Sequence, residues 1–121
     1  MSELIAGRTL LVVEDEPLLG MLLDDVLSDA GARVLGPAAT VERALELLTA
    51  ATGVDAAILD VNLGGVRSDV VASRLEEMGV PFLFATAYGD GAVDGGRSAP
   101  VLRKPYDIGE VVETLARLLA A

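Results

Sequence analysis

The amino-acid sequence predicts an α/β fold: a doubly wound, open sheet of five parallel strands with helices on both faces. Two observations predict it. Short aliphatic runs of strand length alternate with longer helical stripes along the chain. Such alternation implies parallel strands joined by right-handed crossovers, which lay helices on both sides of the sheet.

The strand-length runs are Thr9–Val13, Arg33–Leu35, Ala56–Leu59, Pro81–Ala85 and Val101–Leu102. Four helical stripes lie between and after them. Leu18, Leu19, Leu22, Leu23, Val26 and Leu27 make the first, opened by Pro17 and stopped near Gly31. Val41, Ala44, Leu45 and Leu48 make the second, with Thr40 placed as its N-cap. Val70, Val71, Leu75 and Met78 make the third, with Ser68 or Asp69 as cap and Gly79 as stop. Ile108, Val111, Val112, Leu115, Leu118 and Leu119 make the last and most regular, capped by Asp107. The fourth crossover breaks the rhythm. From Gly89 to Ser98 the chain has four glycines and no apolar stripe. An interior glycine costs a helix about 1 kcal/mol, so the fourth helix is expected to be short or disordered.

Length and composition narrow the function. The 121 residues suit one domain, read as residues 8–121 behind an N-terminal tail of residues 1–7. The chain is 52% hydrophobic but only 3% aromatic, without Trp, so the core must be aliphatic. No apolar run reaches the ~18 residues of a membrane span, and the first residues lack a signal-peptide pattern. Cys is absent, which removes disulfides and thiolate chemistry. A cytoplasmic location is expected. The net charge of −10, from 19 acidic and 9 basic side chains, disfavours direct contact with nucleic acid or a membrane. Without His, acid–base chemistry and metal ligation fall to carboxylates, hydroxyls and amines.

Ligands of open α/β sheets bind outside the carboxyl ends of the strands. The first run ends in Glu14-Asp15-Glu16, the third in Asp60, the fourth in Thr86 and the fifth in Arg103-Lys104-Pro105. The second ends in Gly36-Pro37-Ala38, with nothing reactive. Glu14 and Asp15 are adjacent and would point to opposite faces of a strand, so both reach the rim only if the chain turns there. Converging carboxylates repel unless a cation sits among them. Mg²⁺, which takes oxygen ligands and keeps several waters, suits one or two carboxylates plus a phosphoryl oxygen. Lys104 adds a point charge and Thr86 a hydroxyl donor for phosphoryl oxygens. Asp60 then becomes the nucleophile of a phosphoryl transfer.

Glu14-Asp15 after a hydrophobic strand, Ile58-Leu59-Asp60, Thr86-Ala87 and Lys104-Pro105, in this order, resemble the signature of two-component response regulator receivers. The resemblance runs from Arg8 to Ala121. It implies a flavodoxin-like (βα)5 receiver with strand order 2-1-3-4-5. It further implies that Asp60 accepts a phosphoryl group from a histidine kinase or a histidine phosphotransfer protein. Glu14, Asp15, Asp60 and the backbone carbonyl of Asn62 would hold Mg²⁺. Thr86 and Lys104 would bind the phosphoryl oxygens, and the Lys104–Pro105 bond would be cis. Such a module signals by contact with an unidentified downstream protein or by onward phosphotransfer. It is not a dedicated enzyme beyond its own phosphorylation and slow dephosphorylation. Phosphorylation is expected to act by ordering the fourth crossover, beside which Tyr88 stands.

A narrower likeness exists. Pro81-Phe82-Leu83-Phe84-Ala85-Thr86-Ala87-Tyr88-Gly89 is similar to the Phe-Ala-Thr-Gly-Tyr motif of a subclass of single-domain receivers. Asp60-Val61-Asn62-Leu63-Gly64-Gly65 fits that subclass too. Ala87 stands where the motif has Gly, Gly64 where many receivers have Pro, and Val101 where they carry an aromatic switch residue. Asn62, Ala87 and Tyr88 are therefore candidate modulators. Glu16 reads as a solvated acid near a helix start, and Arg103 as a surface residue. Two other functions compete. One is a small phosphatase using Asp60 as nucleophile, similar to the haloacid dehalogenase type, but Asn62 stands where that type has its second acid. The other is a pseudo-receiver that only binds partners, which should have lost an acid or the lysine, and here none is missing.

Overall fold

The structure of the protein is a computed structural model that describes residues 2–87 and 99–120. A short helix, α1 (Ser2–Ile5), precedes β1 (Thr9–Val13), α2 (Pro17–Asp29), β2 (Arg33–Ala38), α3 (Val41–Ala50) and β3 (Ala56–Asp60). Then come β4 (Asn62–Leu63), β5 (Val66–Arg67), α4 (Asp69–Glu77), β6 (Phe82–Thr86), β7 (Val101–Arg103) and α5 (Ile108–Ala120). Five strands form one sheet in the order β2-β1-β3-β6-β7, every pair parallel. Counting these strands alone, the order is the expected 2-1-3-4-5. Strand order reverses beside β1, so the carboxyl ends of β1 and β3 flank the crevice where such sheets take their ligands.

Alternation along the strands divides the core in two. Leu10, Val12, Ala56, Ile58 and Leu83 pack with Leu23, Leu27, Val111 and Leu115 of α2 and α5. Leu11, Val13, Ala57, Leu59, Phe82 and Phe84 pack with Val41, Ala44 and Leu48 of α3 and Val71 and Leu75 of α4. The few aromatics are used economically: Phe82 and Phe84 meet edge to face, ring centroids 5.4 Å apart. The first seven residues, read from sequence as a tail, include Ile5, which is fully buried in the core on the α2–α5 side.

The helix ends follow ordinary chemistry. Thr40 caps α3, its Oγ1 accepting the Arg43 N–H at 3.1 Å. Asp107 caps α5 by accepting the Gly109 N–H at 3.0 Å, while Glu110 reaches back to the Asp107 N–H at 3.1 Å, a reciprocal capping box. Ser68 holds the cap position of α4, yet its hydroxyl makes no cap bond.

Two elements differ from expectation. β2 continues through Gly36-Pro37 to Ala38 instead of stopping at Leu35, with a register shift between Leu11 and Val13 of β1. A proline is tolerated there because β2 is an edge strand, and Gly36 (φ 98°) lies where a Cβ would sit 2.6 Å from the Val12 carbonyl oxygen. The hairpin β4–β5 was not anticipated. Its two-residue turn is Gly64-Gly65, both with positive φ (62° and 94°), as the twist-matched hairpin turn requires. The fourth crossover, on which the expectation of a short or disordered helix falls, lies outside the described residues. Among the described residues no helix is long and apolar enough to cross a membrane.

The burial pattern predicts a contrast between two leucines. Leu11→Ala, at a fully buried strand position, should cost about 2–5 kcal/mol. Leu18→Ala, at a position 82% exposed, should stay within about 0.5 kcal/mol of the wild type. Urea unfolding of both variants checks it, and equal costs would contradict the assignment of core and surface.

Candidate functional site

β1 and β3 each run buried to their last residue and deliver an acid at the sheet's carboxyl edge. Asp60 falls on the same face as Ala56 and Ile58, and Glu14 on the face of Leu10 and Val12, so both acids belong to the α2–α5 side. Each is only 3% exposed. The Glu14 N–H still donates to the Ala38 carbonyl at 2.9 Å, but β1 has ended and the chain is turning. That turn brings Asp15 to the same rim: carboxylate oxygens of Glu14, Asp15 and Asp60 all lie within 4.8 Å of one another. Backbone N–H groups of the turns bond two of them, Glu16 to Glu14 Oε2 at 3.1 Å and Asn62 to Asp60 Oδ1 at 3.3 Å.

Lys104 enters from the end of β7. Its backbone N–H donates to the Thr86 carbonyl at 2.7 Å, which ties the last residue of β6 to the lysine. Its ammonium lies 3.1 Å from Glu14 Oε1, 3.0 Å from Asp60 Oδ2 and 2.7 Å from Glu16 Oε2. The Lys104–Pro105 peptide bond is cis, as is Gly36–Pro37. Thr86 is 3% exposed, and its hydroxyl lies 3.4 Å from the Ala87 carbonyl oxygen. A cavity of about 570 Å³ opens over these groups, lined among others by Asp15, Asp60, Asn62, Ala87, Lys104 and Tyr106.

Burial is the first influence on the acidities of these groups. Burial pushes Glu14 up to about 7; the nearby Asp60 adds to this, and the Glu16 N–H and Lys104 oppose it. Burial likewise raises Asp60, opposed first by a hydrogen bond with Glu14 and then by Lys104. Burial works against the charge on Lys104, but Glu16, Asp60 and Glu14 outweigh it and hold the ammonium above the ordinary lysine range. Tyr106 is pushed up to about 12 by burial and then by the field of Glu14; its hydroxyl is buried without a hydrogen-bond partner.

Four sequence candidates thus converge on one place, Glu14, Asp15, Asp60 and Lys104, and Thr86 stands beside them, its backbone carbonyl bonded to the Lys104 N–H. Asn62 joins them, its side-chain oxygen accepting the Gly65 N–H at 2.7 Å and so fixing the hairpin turn beside Asp60. Tyr88 lies outside the described residues. Val101, in the place of the switch aromatic, is 45% exposed on β7. Sequence reasoning passed over two residues. Glu16, read as a solvated acid, makes the shortest bond to Lys104. Ser68, read only as a helix cap, is 1% exposed and donates its hydroxyl to the Asp60 carbonyl at 2.6 Å, pinning the Asp60 backbone. A serine before a helix gives no sign of such a target; Glu16 could have been found by asking which acids neighbour the lysine.

A mouth of hard oxygen donors around a cavity fits a divalent cation such as Mg²⁺, and nothing in the donor set suits a softer metal. The chain belongs to the response regulator receiver domain family, whose model matches residues 10–116. Among solved structures, SdrG from Sphingomonas melonis Fr1 is 44% identical, with a TM-score of 0.79 over 95% of this chain and 98% of that one. The phyllosphere-induced regulator PhyR of Methylorubrum extorquens is 29% identical over 91% of this chain and 43% of its own length. The transcriptional regulatory protein TcrA of Mycobacterium tuberculosis is 34% identical over 94% of this chain and 47% of its own. The chain therefore spans less than half the length of the curated relatives it matches. Both curated relatives are named as regulators.

The raised pKa of Glu14 predicts how the metal-free protein responds to pH. Between about 4.5 and about 7 the folded chain binds a proton at Glu14 that the unfolded chain has lost. Stability should therefore fall as pH rises through that window. Thermal melts in chelator should show the fall, and Glu14→Gln should flatten it. An undiminished slope in Glu14→Gln would contradict the assignment.

Proposed function

We propose that this receiver takes a phosphoryl group onto Asp60 from a histidine kinase or a histidine phosphotransfer protein. The observation that carries the reading is the setting of Asp60. It is buried at the end of a central strand, 3.0 Å from a lysine ammonium and within 4.8 Å of two more acids.

In the transfer, an Asp60 carboxylate oxygen attacks phosphorus as the phosphorus–nitrogen bond of the donor phosphohistidine breaks. The leaving imidazole keeps the bonding pair and takes up a proton. The product is an acyl phosphate, and its later attack by water returns the carboxylate and inorganic phosphate. Lys104 and Thr86 hold the phosphoryl oxygens, one as a point charge and the other as a hydroxyl donor. Glu14, Asp15, Asp60 and the Asn62 backbone carbonyl would hold Mg²⁺, which neutralises the negative charge gathering on the phosphoryl oxygens. Ser68 keeps the Asp60 backbone in place. Ala87 and Asn62, at the cavity wall, limit what can approach the phosphoryl group.

The phosphorylated domain then signals by contact with another protein or by passing the group on. The Phe-Ala-Thr-Gly-Tyr-like stretch around Thr86 supports placing the chain in the receiver subclass with that motif. The acids and the lysine that a pseudo-receiver would be expected to lack are present and lie together, which argues against that reading.

Intact-mass measurement with a small phosphodonor tests the reading. The wild type should gain one phosphoryl group in the presence of Mg²⁺, and Asp60→Asn should lose at least about tenfold in labelling rate, as removal of a nucleophile implies. Equal labelling of the two proteins, or labelling indifferent to a chelator, would refute the reading.

A further inference from the structure

Lys104 has more carboxylate partners than the proposed function leaves it. Its ammonium contacts Glu14, Asp60 and Glu16 at once. Glu14 and Asp60 belong to the group of three acids whose oxygens cluster within 4.8 Å, and Glu16 does not. A divalent cation entering that group takes the lone pairs that Lys104 now uses and repels its ammonium. Glu16 differs from the other two in setting. Its side chain is 61% exposed, against 1% for Glu14 and 4% for Asp60, and it lines the cavity. It also makes the shortest of the bonds, at 2.7 Å. A carboxylate at that position can follow the ammonium through solvent without disturbing the packed core.

We infer that Glu16 is a positioning residue: it holds the Lys104 ammonium at the cavity mouth while a divalent cation takes Glu14 and Asp60. The inference rests on the metal reading given above. Two effects follow. Metal entry costs less, because the largely covered lysine side chain, 14% exposed, is not left as an unpaired charge. The ammonium also stays within reach of an incoming phosphoryl oxygen, and an ion pair open to solvent on one side is weak enough to be given up for it.

Calorimetric titration with Mg²⁺ alone tests this on four forms of the full chain: wild type, Glu16→Gln, Lys104→Ala and the double variant. Glu16→Gln should weaken Mg²⁺ binding about two- to fivefold, the size of a partly exposed ion pair. In the Lys104→Ala background the same substitution should change the affinity by less than about 1.5-fold, because the two residues act as one coupled pair. An equal loss in both backgrounds would make Glu16 a plain negative charge, a metal ligand or a structural prop, and would overturn the inference. No loss in either background would overturn it as well. A wild type that binds no Mg²⁺ would remove the metal reading itself, a failure distinct from the others.

Discussion

Two buried carboxylates, Glu14 and Asp60, face each other at the carboxyl edge of the sheet, and only a cation can hold both there charged. In the structure Lys104 is that cation, bonded to each of them within about 3 Å. The site's local geometry follows from this requirement. β1 and β3 lie side by side at the point where strand order reverses and present the acids. β7, two strands further on, sends the lysine back across the end of β6. Two carboxylates against one lysine leave a net negative charge in a buried place, and burial, with Asp60 adding to it, raises the pKa of Glu14 to about 7. A divalent ion would relieve it and free the lysine for an anionic group.

The rest of the fold keeps these groups in register. Buried aliphatic residues from Leu10 to Val13 and from Ala56 to Leu59 occupy both faces of β1 and β3, so neither strand can slide without exposing a layer of Leu, Val and Ile. The Ser68 hydroxyl and the hairpin turned by Gly64-Gly65 fix the chain on the far side of Asp60. The acidic rim is thus built from strand ends and short turns on the sheet.

Much of this was legible in the sequence because two strong signals coincide. The period of the apolar residues gave the strands and helices, and the residues that end each run gave Glu14, Asp15, Asp60, Thr86 and Lys104. Bonds that depend on local three-dimensional paths were not legible. Gly36-Pro37 reads as a strand breaker, yet an edge strand accommodates it by a shift in register. Gly64-Gly65 reads as part of a family motif, and its hairpin emerges only when Asn62 and Arg67 are seen to pair. Ser68 reads as a cap because most serines before helices are caps, whereas here the Asp60 carbonyl lies closer to hand. Glu16 was taken for solvent because an acid near a helix start has a sufficient local explanation, and periodicity is blind to a lysine 88 residues away.

The central claim is that the acid group exchanges the Lys104 ammonium for a metal ion and a phosphoryl group on Asp60. A crystal structure of the protein with Mg²⁺ and beryllium trifluoride, a phosphoryl mimic, tests it most directly. The account predicts beryllium bonded to an Asp60 oxygen, the metal among Glu14, Asp15 and Asp60, and the Lys104 ammonium moved from Glu14 and Asp60 onto a fluoride. Lys104 still bonded to both acids, with no metal between them and no adduct on Asp60, would contradict it.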